Sequence, residues 1–217
     1  MIDIILNVAE WLNPENILTQ GGFGLLLLIV FLETGVFFGF FLPGDSLLLT
    51  AGLLCGSPYL DVSVSELFLG VAAAAFLGSM MGYVMGKSTG SFLLRKKDSF
   101  FFKKKYLSIA ESYYLRYGNI SFVIGKFLPV ARTFLPIIAG LVKSDIGKFM
   151  FFNILGSASW TTAFVIGGYY LNKIFPSLVN YIEFIILLLF IITAIPLLIT
   201  WSKKKKIARA ESVNAGT

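Results

Sequence analysis

Apolar residues run along this chain in tracts long enough to enter or cross a bilayer, separated by short polar or broken stretches. Residues 2–20 place Ile4, Ile5, Val8, Trp11 and Leu12 at helical spacing with Pro14 interrupting, which predicts a short helix lying in the membrane interface. Gly21 to Cys55 is one apolar tract broken at Pro43 and Gly44. It predicts a helical hairpin that turns back within or near the membrane. Glu66 to Gly90 predicts a membrane span, and Gly78, Gly82, Gly86 and Gly90, four apart, predict a close approach by another helix. Ile120 to Leu141 is apolar but carries Pro129 and Pro136, and it is too short to cross twice as full helices. Ile146 to Leu171 and Tyr181 to Trp201 predict two further spans, before a tail that begins with Lys203 to Lys206. The chain therefore divides into an interfacial helix at 1–20, a membrane domain at 21–201 and a basic tail at 202–217.

Charge orients these elements. The first 86 residues hold seven acids and no base, and all 18 Lys and Arg residues lie from Lys87 onward. Six bases between Arg95 and Lys105 mark that loop as cytoplasmic, and Lys203 to Lys206 mark the C-terminus likewise. Both lie on one side only if Ile120 to Leu141 enters the membrane and returns, which predicts a re-entrant hairpin. By the same count Gly56 to Ser65 faces outside and the first hairpin enters from that side. Met1 to Gln20 carries three acids and no base, so no secretory signal peptide is expected.

The two broken segments resemble each other. Gly39-Phe-Phe-Leu-Pro43 precedes Ala51-Gly52, and Gly125-Lys-Phe-Leu-Pro129 precedes Ala139-Gly140. Each is followed by Leu-Gly-Ser, at Leu77 to Ser79 and Leu155 to Ser157, and then by Gly82-Tyr83 or Gly168-Tyr169. The expected fold is an all-α polytopic membrane protein of two inverted repeats, each a re-entrant hairpin followed by a transmembrane helix, with one more transmembrane helix at the C-terminus. Transporters built this way bind substrate near the midplane, where the broken segments meet.

Composition narrows the chemistry. The chain is 57% hydrophobic, with no histidine and one cysteine, Cys55. A His/Cys zinc site, a histidine general base and an internal disulfide are excluded, and no cofactor is expected. The basic excess is a topology signal, so no nucleic-acid partner is expected. What remains are charges inside apolar tracts: Glu33 and Asp45 in the first broken segment, Lys126 and Arg132 in the second. A charge at the bilayer centre costs about 2.5–3.5 kcal/mol on insertion scales, so these four call for partners, water or protonation. If the hairpin tips meet, two acids face two bases. Glu33 and Asp45 can exchange protons, whereas Arg132 stays charged and its planar fork suits a phosphate. The plainer readings are that Asp45 caps a helix beginning at Ser46, and that Glu33 and Lys126 snorkel to the interface. Pro43, Gly44, Pro129 and Pro136 are read as helix breaks that let backbone line a cavity. Asp45 as the nucleophile of an intramembrane enzyme finds no supporting His, metal cluster or second acid, so no enzymatic activity is expected.

Glu33-Thr-Gly35, Phe41-Leu-Pro-Gly-Asp-Ser-Leu-Leu48, Gly125-Lys-Phe and Arg132-Thr-Phe-Leu-Pro with Ala139-Gly140 together resemble the DedA family, whose domain is also called SNARE-associated or VTT. The resemblance covers about residues 20–200. It implies a bacterial inner-membrane lipid transporter or flippase that moves undecaprenyl phosphate or another anionic phospholipid, coupled to the proton motive force. An energy-independent phospholipid scramblase is the alternative. It also implies proton-coupling roles for Glu33 and Asp45 and a lipid-phosphate role for Arg132, with Lys126 standing where many members have arginine. Lysine keeps the charge there and loses the planar fork. Expected partners are membrane lipids and a coupling proton or other cation, with room for a homo-oligomer.

Overall fold

The computed structural model describes residues 14–36, 44–95 and 114–175, all of them within the first of two units, Met1–Asn180 and Tyr181–Thr217. The part of the interfacial helix before Pro14, Pro43 with the motif leading to it, most of the basic loop, the span Tyr181 to Trp201 and the tail from 202 lie outside the described residues.

Helix α1 runs Pro14–Gly35 and kinks at Gly22, whose φ of 58° and ψ of −158° suit a residue without Cβ. Helix α2, Gly44–Leu54, packs back against it. After a turn through Gly56 (φ 76°) come two isolated bridges, Cys55 with Leu60 and Ser57 with Leu60. Among the described residues every regular element is a helix.

Helix α3, Val64–Arg95, opens with a reciprocal capping box. Ser63 N donates to Glu66 Oε2 at 2.9 Å, and Glu66 N donates to Ser63 Oγ at 3.3 Å. Its Val64–Ser88 portion is apolar for 25 residues, about 37 Å at 1.5 Å per residue, and so exceeds a hydrocarbon layer of about 30 Å.

The second broken segment consists of a short α4, Ser121–Ile124, flanked by 3₁₀ turns Gly118–Ile120 and Gly125–Phe127, and then α5, Pro129–Leu141. The break falls at Leu128, whose φ/ψ of −114°/115° is the extended geometry that a following proline imposes. Pro129 then starts α5 at a position where its missing N–H costs nothing. Pro136 does not break the helix, contrary to its sequence-based reading; it lies inside α5. It removes one backbone bond, a loss that packed membrane helices accommodate, and a Cβ placed on Gly82 would lie 3.3 Å from Pro136 Cβ.

Helix α6, Ile146–Thr161, is capped by Asp145, whose Oδ1 accepts from Lys148 N at 2.8 Å. It passes through a π turn, Thr162–Ile166, into α7, Gly167–Ile174. The whole stretch Ile146–Ile174 is 29 residues long and apolar enough to span, but the π turn makes it less regular than the pattern predicts.

Helix α3 packs along α1 and α5, while α2 packs against the π turn and α7. Glycines set these contacts, as the stripe on α3 predicts. A Cβ on Gly78 would strike Phe31 O and Thr34 of α1, and one on Gly86 would strike Ile137 of α5. A Cβ on Gly156 of α6 would lie 2.8 Å from Phe122 O and 3.2 Å from Val123 Cα. Gly140 of α5 faces Tyr83 O, and Gly52 of α2 faces Val165 O.

Candidate functional site

Three of the four charges in the broken segments meet. Arg132 stands in the first turn of α5, where its backbone N–H reaches Leu128 O at 2.8 Å. Its Nη1 donates to Asp45 Oδ1 at 2.8 Å and its Nη2 to Asp45 Oδ2 at 3.3 Å, a two-pronged contact. Nη2 also lies 3.2 Å from Glu33 Oε1. All three side chains are shielded: residue exposure is 2% for Glu33, 7% for Asp45 and 2% for Arg132. Glu33 does not snorkel.

Local structure explains each placement. Asp45 lies in the first turn of α2, where the helix dipole favours a carboxylate. Both its oxygens serve Arg132, so its work is ion pairing across the two segments. Gly44 lets the two segments come this close, because a Cβ there would overlap the Glu33 carboxylate and something would have to shift. Next to Arg132, Thr133 Oγ1 donates to Glu33 O at 2.9 Å and ties α5 to the end of α1.

Lys126 is placed differently from its expected partnership. It is 3% exposed and does not snorkel. Its Nζ donates to Ala75 O at 3.1 Å and to Ser79 Oγ at 2.8 Å, both on α3. The predicted two-acids-with-two-bases arrangement is therefore two acids on one guanidinium, with the ammonium held by α3. Counted by formal charge, the four buried groups balance, two of each sign. Each ion's desolvation costs several kcal/mol, so the arrangement fixes geometry more than it adds stability.

Two contributors escaped the sequence reading. Trp160, fully buried near the end of α6, donates Nε1–H to Asp45 Oδ1 at 2.9 Å and lies under the Arg132 guanidinium, 4.5 Å from Cζ to the ring centroid. Asn153, two turns earlier, is 1% exposed, and its Nδ2 reaches Phe76 O at 3.2 Å. Asn153, Ser157 and Thr161 are spaced four apart and all buried, a polar stripe on a largely apolar helix that sequence spacing alone could have flagged. The tryptophan gave no comparable signal, since a buried aromatic is ordinary in a membrane helix.

The chain is similar to several known membrane proteins. A family model described as the VTT domain matches residues 42–170. An uncharacterized membrane protein of Mycobacterium tuberculosis is 34% identical over 196 residues, covering 90% of this chain and 86% of its own length. Protein DedA of Escherichia coli is 29% identical over 210 residues, covering 96% and 95% respectively. Inner membrane protein YqjA of Escherichia coli is 33% identical over 148 residues, covering 68% and 66%. No solved structure matches significantly.

Proposed function

We propose that this chain, which belongs to the DedA family of VTT-domain membrane proteins, carries lipid phosphates across a bacterial cytoplasmic membrane, with Glu33 and Asp45 exchanging protons and Arg132 holding the headgroup. The observation that carries this reading is the buried Arg132 guanidinium, shared between Asp45 at 2.8 Å and Glu33 at 3.2 Å, at the meeting of two broken segments. A buried arginine whose charged partners among the described residues are two titratable acids can act as a two-state element. With the acids ionised, they satisfy it; once protonated, they release it to an anion of the same fork geometry.

In this reading the segments α1–α2 and α4–α5 are re-entrant hairpins of two inverted repeats. Reciprocal packing supports the repeat. Gly78 and Gly156, from the two Leu-Gly-Ser motifs, each press on the first arm of the preceding broken segment, and Gly52 and Gly140, from the two Ala-Gly pairs, each press on the other unit's span. The C-terminus is cytoplasmic by charge, the substrate is undecaprenyl phosphate or another anionic phospholipid, and the lipid tail stays in the bilayer. The chemistry is carriage, without a covalent step.

The test is translocation of a fluorescent undecaprenyl-phosphate analogue and a fluorescent phosphatidylcholine in proteoliposomes, with and without a proton gradient. Gradient-dependent movement of the phosphate lipid, lost in Arg132→Ala and insensitive to pH in Glu33→Gln, is expected. Wild-type rates in both variants would refute the scheme, and gradient-independent movement of both lipids would establish a scramblase in its place.

A further inference from the structure

Arg132 also borders a second feature. A cavity of about 10 Å³ lies between the second broken segment and α6, and its lining includes Lys126, Ala131, Arg132, Phe122, Phe149 and Asn153. Neither Glu33 nor Asp45 contributes to it. Its charged lining is thus wholly cationic.

Each polar side chain of that lining retains an N–H. The Nη atoms of Arg132 serve the two acids, while its buried Nε has no hydrogen-bond partner among the described residues. Lys126 gives two of its three ammonium protons to Ala75 O and Ser79 Oγ. Asn153 gives one of its two amide protons to Phe76 O. Ala131 and Arg132 belong to the first turn of the 13-residue α5, whose dipole adds positive potential there. A space of this size holds about one oxygen atom. An unpaired guanidinium N–H in such a place calls for an acceptor, because a buried donor left alone is costly.

We propose that this cavity is a docking position for one oxygen of a phosphate, with Asn153 as a third ligand beside Arg132 and Lys126, occupied while Arg132 is still paired with Asp45. The inference rests on the lipid-phosphate reading above and changes its order of events. A direct exchange of carboxylate for phosphate passes through an unpaired buried charge. Docking on the Nε side brings the anion in first, so the carboxylates are protonated and leave against a guanidinium that already has a partner. Headgroup binding and proton uptake are then successive, and the cavity, walled by Phe122 and Phe149, admits one phosphate oxygen and leaves the rest of the headgroup outside.

The experiment is calorimetric titration of the full chain in detergent with short-chain phosphatidic acid and, separately, inorganic phosphate, with the melting temperature of each variant recorded. Asn153→Asp is expected to weaken phosphatidic acid binding at least tenfold, because it puts a like charge beside the anion. Asn153→Ser, which loses the same bond to Phe76 but keeps a donor, is expected to lose threefold or less. Ala131→Val, which fills the cavity without removing any of the three donors, should weaken binding as Asn153→Asp does, and it serves if that variant does not fold. Competition by inorganic phosphate identifies the phosphate oxygen as the recognised group; binding of inorganic phosphate alone assigns the cavity to free phosphate. Equal loss in the Asp and Ser variants, no loss in either, or no binding of either probe by the wild type overturns the inference. Transport separates the two readings: if Arg132→Ala is inactive while Asn153→Asp binds and transports as wild type, only the docking position falls. If Arg132→Ala transports, the carrier reading falls.

Discussion

Trp160 donates its indole N–H to Asp45 Oδ1 at 2.9 Å, the same oxygen that receives Arg132 Nη1 at 2.8 Å. The tryptophan therefore holds the acid from one side while its ring supports the guanidinium from the other. Trp160→Phe keeps a smaller aromatic ring and removes the N–H, leaving a buried carboxylate short of a donor. A hydrogen bond to a charged group is worth about 1.5–3 kcal/mol. The expected result is a lower melting temperature together with slower lipid movement, measured on the same preparation.

Breaking the buried ion cluster should be worse than removing it. Arg132→Met alone strands two acids, and loss of one partner of a buried pair typically costs about 3–5 kcal/mol. Glu33→Gln with Asp45→Asn and Arg132→Met together removes all three charges and should recover most of that stability while remaining inactive. Thermal unfolding in detergent of the single and triple variants checks this, and a triple variant as unstable as the single one would contradict it.

Lys126 is predicted to be dispensable for folding and needed for transport. Its stem runs past Gly156, where a Cβ would lie 3.1 Å from Lys126 Cγ, so Lys126→Met keeps the packing and deletes a buried charge. Its melting temperature should change little while transport falls at least tenfold. Lys126→Arg is bulkier and planar in this tight place, and should restore activity only in part.

Gly44→Ala tests the approach of α2 to Glu33. A single methyl would overlap that carboxylate, so Glu33 must move off Arg132 or α2 must shift. Reduced transport with an altered pH dependence is expected from proteoliposome assays at several pH values.

Topology is checked by impermeant thiol labelling after Cys55→Ser. Ser63 and Lys148 are both exposed and lie beside the caps of α3 and α6. Ser63→Cys should label from outside the cell and Lys148→Cys only after permeabilisation. Labelling of both from the same side would overturn the inverted arrangement.

Hydrophobic periodicity and breaker residues placed most of the described elements, because burial in lipid demands long apolar runs and proline dictates where such runs stop. The span at Val64–Ser88, the break at Pro129 and the glycine contacts of α3 follow from the sequence in this way. Pro136 does not, since whether a proline ends a helix depends on the neighbours that take up the lost bond. The four charges were conspicuous for the same reason that they are expensive: nothing in an apolar tract explains them locally.

By itself the sequence determined that this is a membrane chain, that its two broken segments carry opposite charges and that Arg132 must find partners. Only the tertiary structure decided which partners. It gave both acids to Arg132 and sent Lys126 to Ser79 and Ala75. It also brought Trp160 from 115 residues away to Asp45. Spacing along a helix states which residues share a face, but which faces meet depends on how closely glycines let the helices approach, and that is fixed only when the whole bundle packs.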